Sequence, residues 1–284
     1  MLKRLFLIFI LIAATPAYSV ESVLWIESRG VNIPITLTMP DEYGDEGVPL
    51  IVLAHGHGGS REENGGFTEL ASMLADSGIA SVRMDFPGCG ESTEAFIHNN
   101  ITNMLQDVDA SLEFAITQPG IDLGRLGILG YSMGGRLAML ATGDEPAYRA
   151  AVLWAPVAMD GAKPMLAFFG GKEQYDALRS QALRNDSVSF TTAWGQEQEL
   201  GEEFFDDLER SEALSAIARF KGHLLVLHGS ADKVIDQDNG RLASQAALST
   251  ATAELHIIYG AGHGLGFYAP DPETRALVLE RTVS

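Results

Sequence analysis

Short apolar runs of strand type alternate along the chain with stretches whose apolar positions recur at helical spacing. The first two runs, residues 22–29 and 31–39, predict an antiparallel hairpin that turns at Arg29-Gly30. From residue 50 onward, strands and helices follow one another in regular order. This alternation predicts an α/β fold with a mostly parallel central sheet and helices on both faces.

The predicted elements keep this order almost to the end of the chain. After the hairpin, the predicted strands are residues 50–54, 80–85, 126–129, 150–154, 224–227 and 255–258. The predicted helices are residues 67–76, 103–116, 134–141 and 271–283. The last helix is entered through Pro270 and Pro272, and proline suits the first turn of a helix.

The regular order breaks at about residues 157–211, where no strand-helix unit is apparent and aromatic and acidic residues accumulate. An insertion of this length exceeds what a connection between two strands requires, so it predicts a small cap over the end of the sheet. Within it, Phe168, Phe169 and Trp194 are candidate substrate contacts because ligand pockets are mostly apolar. The alternative is that these rings form the core of the cap itself.

The first residues differ in character from the rest of the chain. Lys3 and Arg4 precede an apolar run at residues 5–14, and small residues follow it. This arrangement is typical of a cleavable secretory signal, whereas an uncleaved membrane anchor is the alternative. The run is too short to cross a bilayer comfortably.

The interpretation is therefore a signal peptide at residues 1–19 and a single domain at residues 20–284, exported to a periplasm or out of the cell. No stable membrane insertion is expected after cleavage. N-terminal sequencing of the protein from its native host should find a start near Tyr18 or Val20, and an intact Met1 in soluble cytosol would contradict the prediction.

Composition and charge narrow the possible partners. The 284 residues are 46% hydrophobic, enough for a sizeable core. The formal charge is −19, and it becomes −21 when the segment with Lys3 and Arg4 is removed. Such a surface repels nucleic-acid phosphates, so nucleic acid is not an expected partner.

Cys89 is the single cysteine and cannot form an intramolecular disulfide. We expect it to be a small side chain in a loop, and a reactive thiol is the alternative.

A serine lies at the junction of a predicted strand and a predicted helix. The sequence GYSMG at 130–134 matches G-x-S-x-G, a pattern that exposes a serine hydroxyl at a sharp strand-to-helix turn. The glycines let neighbouring backbone approach closely, and the following helix N-terminus favours negative charge. Ser132 is therefore the candidate nucleophile.

A serine hydroxyl requires a histidine base and a carboxylate that orients the base. Asp232 follows the predicted strand 224–227, and His263 follows the predicted strand 255–258. Both thus fall at strand carboxyl ends, on the same sheet edge as Ser132. Asp236, in the same loop as Asp232, is the rival for the carboxylate.

The other histidines lie on less suitable segments. His98 and His223 are expected at the surface, His228 is expected to pack the loop that holds Asp232, and His256 lies within a strand. Their positions leave His263, between two glycines, as the candidate base.

The glycine-rich segment HGHGG at 55–59 follows a predicted strand and offers backbone donors. The N–H of His57 can turn inward beside the N–H of Met133, and two such donors would hold an oxyanion. His55 and His57 as a metal pair is the alternative, but no third ligand stands at a supporting spacing. We therefore expect no metal and no cofactor.

Together these motifs resemble those of the α/β-hydrolases, and within that superfamily the chain is similar to serine esterases of the cinnamoyl/feruloyl-esterase type. The matching segments span nearly the whole mature chain in the family's order; they are HGHGG at 55–59, VRMDFPGCGES at 82–92, GYSMGG at 130–135, LWAP at 153–156, HGSADKVI at 228–235 and GAGHG at 260–264. Two features depart from the pattern of those esterases. His57 stands where they often carry an apolar residue, and the predicted cap segment shows little similarity to theirs.

The resemblance implies a serine hydrolase that cleaves small carboxylic esters through an acyl-enzyme. Ser132 would attack the carbonyl, His263 would transfer protons, Asp232 would orient His263, and the His57 and Met133 amides would hold the oxyanion. A peptidase or amide hydrolase with the same residues is one alternative. A catalytically silent binding protein on this scaffold is another, and the sequence leaves the oligomeric state open.

Overall fold

The computed structural model describes residues 19–144, 148–269 and 271–284. The predicted signal segment at residues 1–19 lies outside this part, apart from its last residue. No helix within the described residues is long and apolar enough to cross a membrane.

The centre of the molecule is an eight-stranded sheet, whose strands are β1 Val20–Ser28, β2 Val31–Met39, β3 Val48–Ala54, β4 Ala80–Met84, β5 Ile121–Tyr131, β6 Tyr148–Trp154, β9 His223–Gly229 and β10 Thr252–Ile258. They lie side by side in the order β1-β2-β4-β3-β5-β6-β9-β10. Only the β1-β2 and β2-β4 pairings are antiparallel, and the other five are parallel. The predicted fold class is confirmed.

The opening hairpin forms where the sequence predicts it. Ser28 pairs with Val31, so only Arg29 and Gly30 form the turn, with φ of 54° and 78°. Positive φ at both positions suits the right-handed twist of a two-residue hairpin. This hairpin supplies the antiparallel edge of the sheet.

Helices cover both faces of the sheet because neighbouring strand residues point to opposite sides. Val52 and Ile128 belong to one buried cluster, and Leu53 and Leu129 belong to the other. The helices are α1 Gly66–Asp76, α2 Ile101–Ile116, α3 Met133–Asp144, α4 Lys172–Asn185, α5 Glu202–Arg210, α6 Ala213–Ile217, α7 Asp238–Ala246 and α8 Pro272–Val283.

The segment at 157–211, which we call the cap, contains more regular structure than the sequence suggested. It holds α4, α5 and a separate two-stranded sheet of β7 Ser187–Thr191 and β8 Glu197–Gly201. Helix α4 escapes pattern analysis because it is mostly polar and buries only Tyr175, Leu178 and Ala182. Helix α5 does carry a helical pattern, since it buries Phe204, Phe205 and Leu208 on one face, and it was missed among the acidic residues around them. The two strands are five residues long and pair only with each other, which leaves too short a pattern to recognise.

A buried arginine attaches the cap to the sheet. Arg136 lies on α3, and its guanidinium donates to backbone carbonyls from both ends of the cap, including those of Val157 and Gly161 at 2.9 Å each and that of Leu208 at 3.4 Å. Burial lowers its pKa to about 10. The helix that begins beside Ser132 thus also fixes the base of the cap.

Candidate active site

The backbone around Ser132 makes a sharp turn between β5 and α3. Ser132 has a φ of 54°, a left-handed conformation that is strained for a residue with a side chain. The turn requires glycine on both sides: a Cβ at Gly130 would lie 2.0 Å from the Gly134 carbonyl oxygen, and one at Gly134 would lie 1.9 Å from that of Ala54. The sequence pattern therefore specifies a turn that holds the serine hydroxyl above the sheet.

Three predicted residues meet at the carboxyl edge of the sheet. The Ser132 hydroxyl lies 2.9 Å from His263 Nε2, and His263 Nδ1 lies 2.7 Å from Asp232 Oδ2. These residues come from three different loops, after β5, β9 and β10. The line of contacts lets Nε2 accept the serine proton while Nδ1 donates to the carboxylate.

The carboxylate of Asp232 is fully buried, and both of its oxygens have hydrogen-bond donors beside them. Its Oδ1 accepts the backbone N–H groups of Val234 and Ile235 at 2.9 Å each, and its Oδ2 also lies 3.2 Å from His228 Nε2. Burial by itself would raise the pKa of Asp232, but the hydrogen bonds from His228 and His263 outweigh it and hold the pKa below the usual range. The group therefore remains a carboxylate that accepts from His263.

Asp236, the rival carboxylate, has a different role in the structure. Its Oδ1 accepts the backbone N–H of Asp238 at 2.8 Å, and it lies at the exposed turn before α7. Among the described residues it makes no contact with His263. The geometry therefore favours Asp232 over Asp236.

The loop at 55–59 packs directly against the nucleophile. A Cβ at Gly56 would lie 3.4 Å from the Ser132 Cβ and 2.9 Å from the Tyr131 ring, so only glycine fits there. Within the described chain, neither the His57 N–H nor the Met133 N–H donates to a protein acceptor. Two free amides beside the serine hydroxyl suit a developing oxyanion.

The side chains of His55 and His57 are both engaged within the protein. His55 lies 2.7 Å from the Gly56 carbonyl through Nδ1 and accepts the Phe86 N–H through Nε2. His57 Nε2 lies 2.9 Å from Gln198 Oε1, and burial lowers the His57 pKa to about 4. No group of three or more possible metal ligands occurs among the described residues.

A cavity of about 410 Å³ opens beside Ser132 and His263. Its walls are largely apolar and come from both the sheet loops and the cap; they include Met165, Phe168, Trp194, Val234 and Ile235. Such a chamber suits a small substrate with an apolar portion.

The structure separates the three predicted cap aromatics. Phe168 and Trp194 line the cavity, and their ring centroids lie 5.7 Å apart. Phe169 differs from the prediction because its side chain is buried in the core of the cap, against Tyr175, Phe190, Phe204 and Phe205. The two rings touch, with centroids 4.8 Å apart, yet only the Phe168 ring lines the cavity, and a sequence of two phenylalanines does not show which one does.

Several cavity residues were not identified from the sequence. Glu63, Tyr131 and Tyr268 line the cavity near the serine, and Gln196 lines it from the tip of the β7-β8 hairpin. Gln196 Nε2 donates to the Gly58 carbonyl at 3.1 Å. The sequence carries no motif for these contacts, because they depend on how loops distant along the chain meet.

Comparisons with known proteins agree with this fold. A sequence profile of the family described as "Alpha/beta hydrolase family" matches residues 51–276. Among solved structures, Est1E from Butyrivibrio proteoclasticus with ferulic acid bound superimposes with a TM-score of 0.73 at 19% identity, covering 92% of this chain and 96% of Est1E. At that identity the likeness concerns the fold.

Two curated protein sequences are also similar. The 2,6-dihydropseudooxynicotine hydrolase of Paenarthrobacter nicotinovorans is 28% identical over 129 residues, which are 44% of this chain and 32% of that protein. The match thus spans about a third of that relative's length. The monoglyceride lipase homolog of Monkeypox virus is 25% identical over 238 residues, covering 76% of this chain and 82% of the viral protein.

Proposed function

This chain belongs to the α/β hydrolase family, and from that premise we propose that it cleaves carboxylic esters through an acyl-enzyme formed on Ser132. The observation that carries the proposal is the hydrogen-bonded line from Asp232 through His263 to the Ser132 hydroxyl, beside an apolar cavity. Family membership supports a hydrolase; the ester substrate and the acyl-enzyme are our proposal.

The contacts define how each group would act. His263 Nε2, 2.9 Å from the hydroxyl, takes the serine proton as the Ser132 oxygen attacks the ester carbonyl. The carbonyl oxygen becomes an oxyanion that accepts from the His57 and Met133 amides. His263 then gives its proton to the leaving alcohol oxygen, and the acyl group stays on Ser132. A water molecule, deprotonated by His263, releases the acid by the same steps in reverse order.

The shape of the cavity supports a small ester with an apolar or aromatic portion. Aromatic side chains of the cap form part of its wall, and Est1E, which shares this fold, binds ferulic acid. Export with removal of residues 1–19 remains part of the proposal.

The proposal is tested by comparing an ester and an anilide that carry the same acyl group. We expect the ester to be cleaved with a much higher kcat/KM, together with stoichiometric labelling of Ser132 by a fluorophosphonate. Faster cleavage of the anilide would favour the peptidase alternative. A protein inert toward the fluorophosphonate would instead favour a binding function.

The two aromatics that line the cavity should determine which esters are preferred. Phe168→Ala and Trp194→Ala are expected to change the order of kcat/KM across esters of differing acyl size, because each removes part of the wall. Labelling of Ser132 by a small fluorophosphonate should persist in both variants.

Phe169→Ala is the matched control for these variants. It removes a ring from the adjacent, buried position, so it should lower the free energy of unfolding by about 3–5 kcal/mol without changing the order of substrates. If Phe168→Ala and Trp194→Ala also lost only stability, the cap aromatics would have no part in substrate selection.

A further inference from the structure

A strained turn precedes helix α1 and carries a buried carboxylate. Glu63, Asn64 and Gly65 have φ values of 42°, 52° and 80°, so three successive residues are left-handed, two of them with side chains. Non-glycine residues adopt this conformation only when the surrounding structure holds them in it. The turn directs the Glu63 side chain inward, where the residue is 1% exposed and contributes to the cavity wall.

The Glu63 carboxylate joins the two loops that carry the proposed catalytic groups. Its Oε2 accepts the N–H of Gly56 at 2.8 Å, and Gly56 immediately precedes His57, the proposed oxyanion donor. The Tyr268 hydroxyl donates to its Oε1. Tyr268 lies in the loop that follows β10 and carries His263, so one side chain spans both loops.

Further contacts extend this link to the base itself. The Tyr268 ring stacks on Tyr131, with centroids 6.3 Å apart, and the Tyr131 ring lies 5.2 Å from the His263 ring. The Tyr131 hydroxyl donates to the His263 carbonyl at 3.3 Å. Next to Glu63 in the turn, the Asn64 amide donates to the Phe267 carbonyl, so the turn holds the His263 loop at two points.

We propose that Glu63 is a positioning residue that fixes the spacing between the oxyanion loop and the His263 loop through Gly56 and Tyr268. The inference rests on the proposed function, since it concerns the same serine, base and oxyanion amides. Glu63 does not touch the reacting atoms; it acts through the two loops that it joins.

The contacts can persist whether or not the carboxyl group is ionised. Burial raises the pKa of Glu63 to about 7, against the opposing effect of the bonds from Tyr268 and Gly56. In the ionised form Tyr268 donates to Oε1, and in the neutral form the carboxyl proton can be donated to the Tyr268 oxygen. The proposed role of Glu63 therefore depends on its position and its hydrogen bonds rather than on its charge.

This reasoning separates two substitutions at one position. Glu63→Gln keeps an acceptor for the Gly56 N–H and a donor for the Tyr268 oxygen, so its kcat should stay within about threefold of the wild type. Glu63→Ala removes both contacts, and its kcat should fall about 10- to 100-fold with little change in KM, because catalytic groups tolerate little misplacement. Tyr268→Phe removes one contact and should lose kcat about three- to tenfold.

The experiment measures kcat and KM on a model ester for these three variants, with thermal unfolding recorded for each. A trifluoromethyl ketone, which forms a tetrahedral adduct with the serine, should bind more weakly in proportion to the fall in kcat/KM. Glu62→Ala is the control: the adjacent carboxylate, 45% exposed, pairs with Arg61 and Arg83 rather than with either loop. It should keep wild-type kinetics.

A folded Glu63→Ala variant with wild-type kcat would overturn the inference, as would a Glu63→Gln variant as impaired as Glu63→Ala. If Glu63→Ala does not fold, Tyr268→Phe decides, because it leaves the strained turn intact; wild-type kcat there would also reject the inference. If the proposed function is wrong, the result is different, because Ser132→Ala would then retain activity. That result would not contradict the contacts that Glu63 makes with the two loops.

Discussion

Replacing Ser132 by alanine is expected to lower ester hydrolysis by about a millionfold, the scale of loss when the nucleophile of such a site is removed. The hydroxyl is the only group lost, and its oxygen is the atom that would form the acyl bond. Its partner, His263 Nε2, lies 2.9 Å away and cannot replace it as a nucleophile in the same position. The measurement is kcat/KM on a model ester with purified protein.

The fold of this variant should be intact. Ser132 is held by its backbone, whose N–H donates to the Trp154 carbonyl at 2.8 Å and whose carbonyl accepts from Val157 at 3.0 Å. Neither bond uses the hydroxyl, so thermal unfolding should be close to that of the wild type. Fluorophosphonate labelling should disappear. Activity that survives in the purified variant would show that another group carries the reaction.

His263→Ala should cause a loss of similar size, and the double variant should be hardly worse than either single one. The serine and the base act as one unit, so the effects of removing them do not add. A double variant that lost the product of the two factors would indicate independent roles and would contradict the proposed proton transfer.

The sequence was sufficient to predict that Ser132, Asp232 and His263 meet, because each residue lies in the turn or loop that follows an apolar strand. In a parallel sheet the carboxyl ends of neighbouring strands lie at one edge, so positions far apart along the chain can be brought together by pattern alone. The strands β5, β9 and β10 are apolar enough to be recognised, and the glycines at the β5 turn identify the one serine.

The elements within the cap and the Glu63 link could not be predicted in the same way. The cap's strands pair only with each other, and α4 buries few residues, so neither leaves a strong periodic pattern. Glu63 is one acidic residue among many in the sequence. Its burial depends on a turn of three left-handed residues and on a tyrosine more than two hundred positions away, and such a contact has no local signal.

Asp232→Asn is expected to lower kcat by about 10⁴-fold, which is the typical scale when the carboxylate that orients a catalytic histidine becomes an amide. The surroundings determine how the introduced amide must lie. The Val234 and Ile235 N–H groups point at the Oδ1 position, so the amide oxygen is held there and the NH₂ group takes the place of Oδ2. The NH₂ group then faces His263 Nδ1, where an acceptor is needed.

When Nδ1 of a neutral imidazole faces a hydrogen-bond donor, Nδ1 offers its lone pair to that donor. The ring proton is then carried on Nε2. That nitrogen can no longer accept the serine proton, which is the physical reason for the expected loss. His228 Nε2, which lies 3.2 Å from Asp232 Oδ2 and 3.0 Å from the Ile235 carbonyl oxygen, would also face the NH₂ group. KM should change little because Asp232 lies behind His263, away from the substrate.

Asp236→Asn provides the matched control, because it makes the same chemical change four positions later in the same loop. The Asp236 oxygen accepts only the Asp238 N–H at the start of α7, a contact that an asparagine oxygen reproduces. Its kcat should therefore equal that of the wild type. The reverse outcome, with Asp232→Asn active and Asp236→Asn inactive, would assign the orienting role to Asp236 and would require the loop to rearrange when substrate binds.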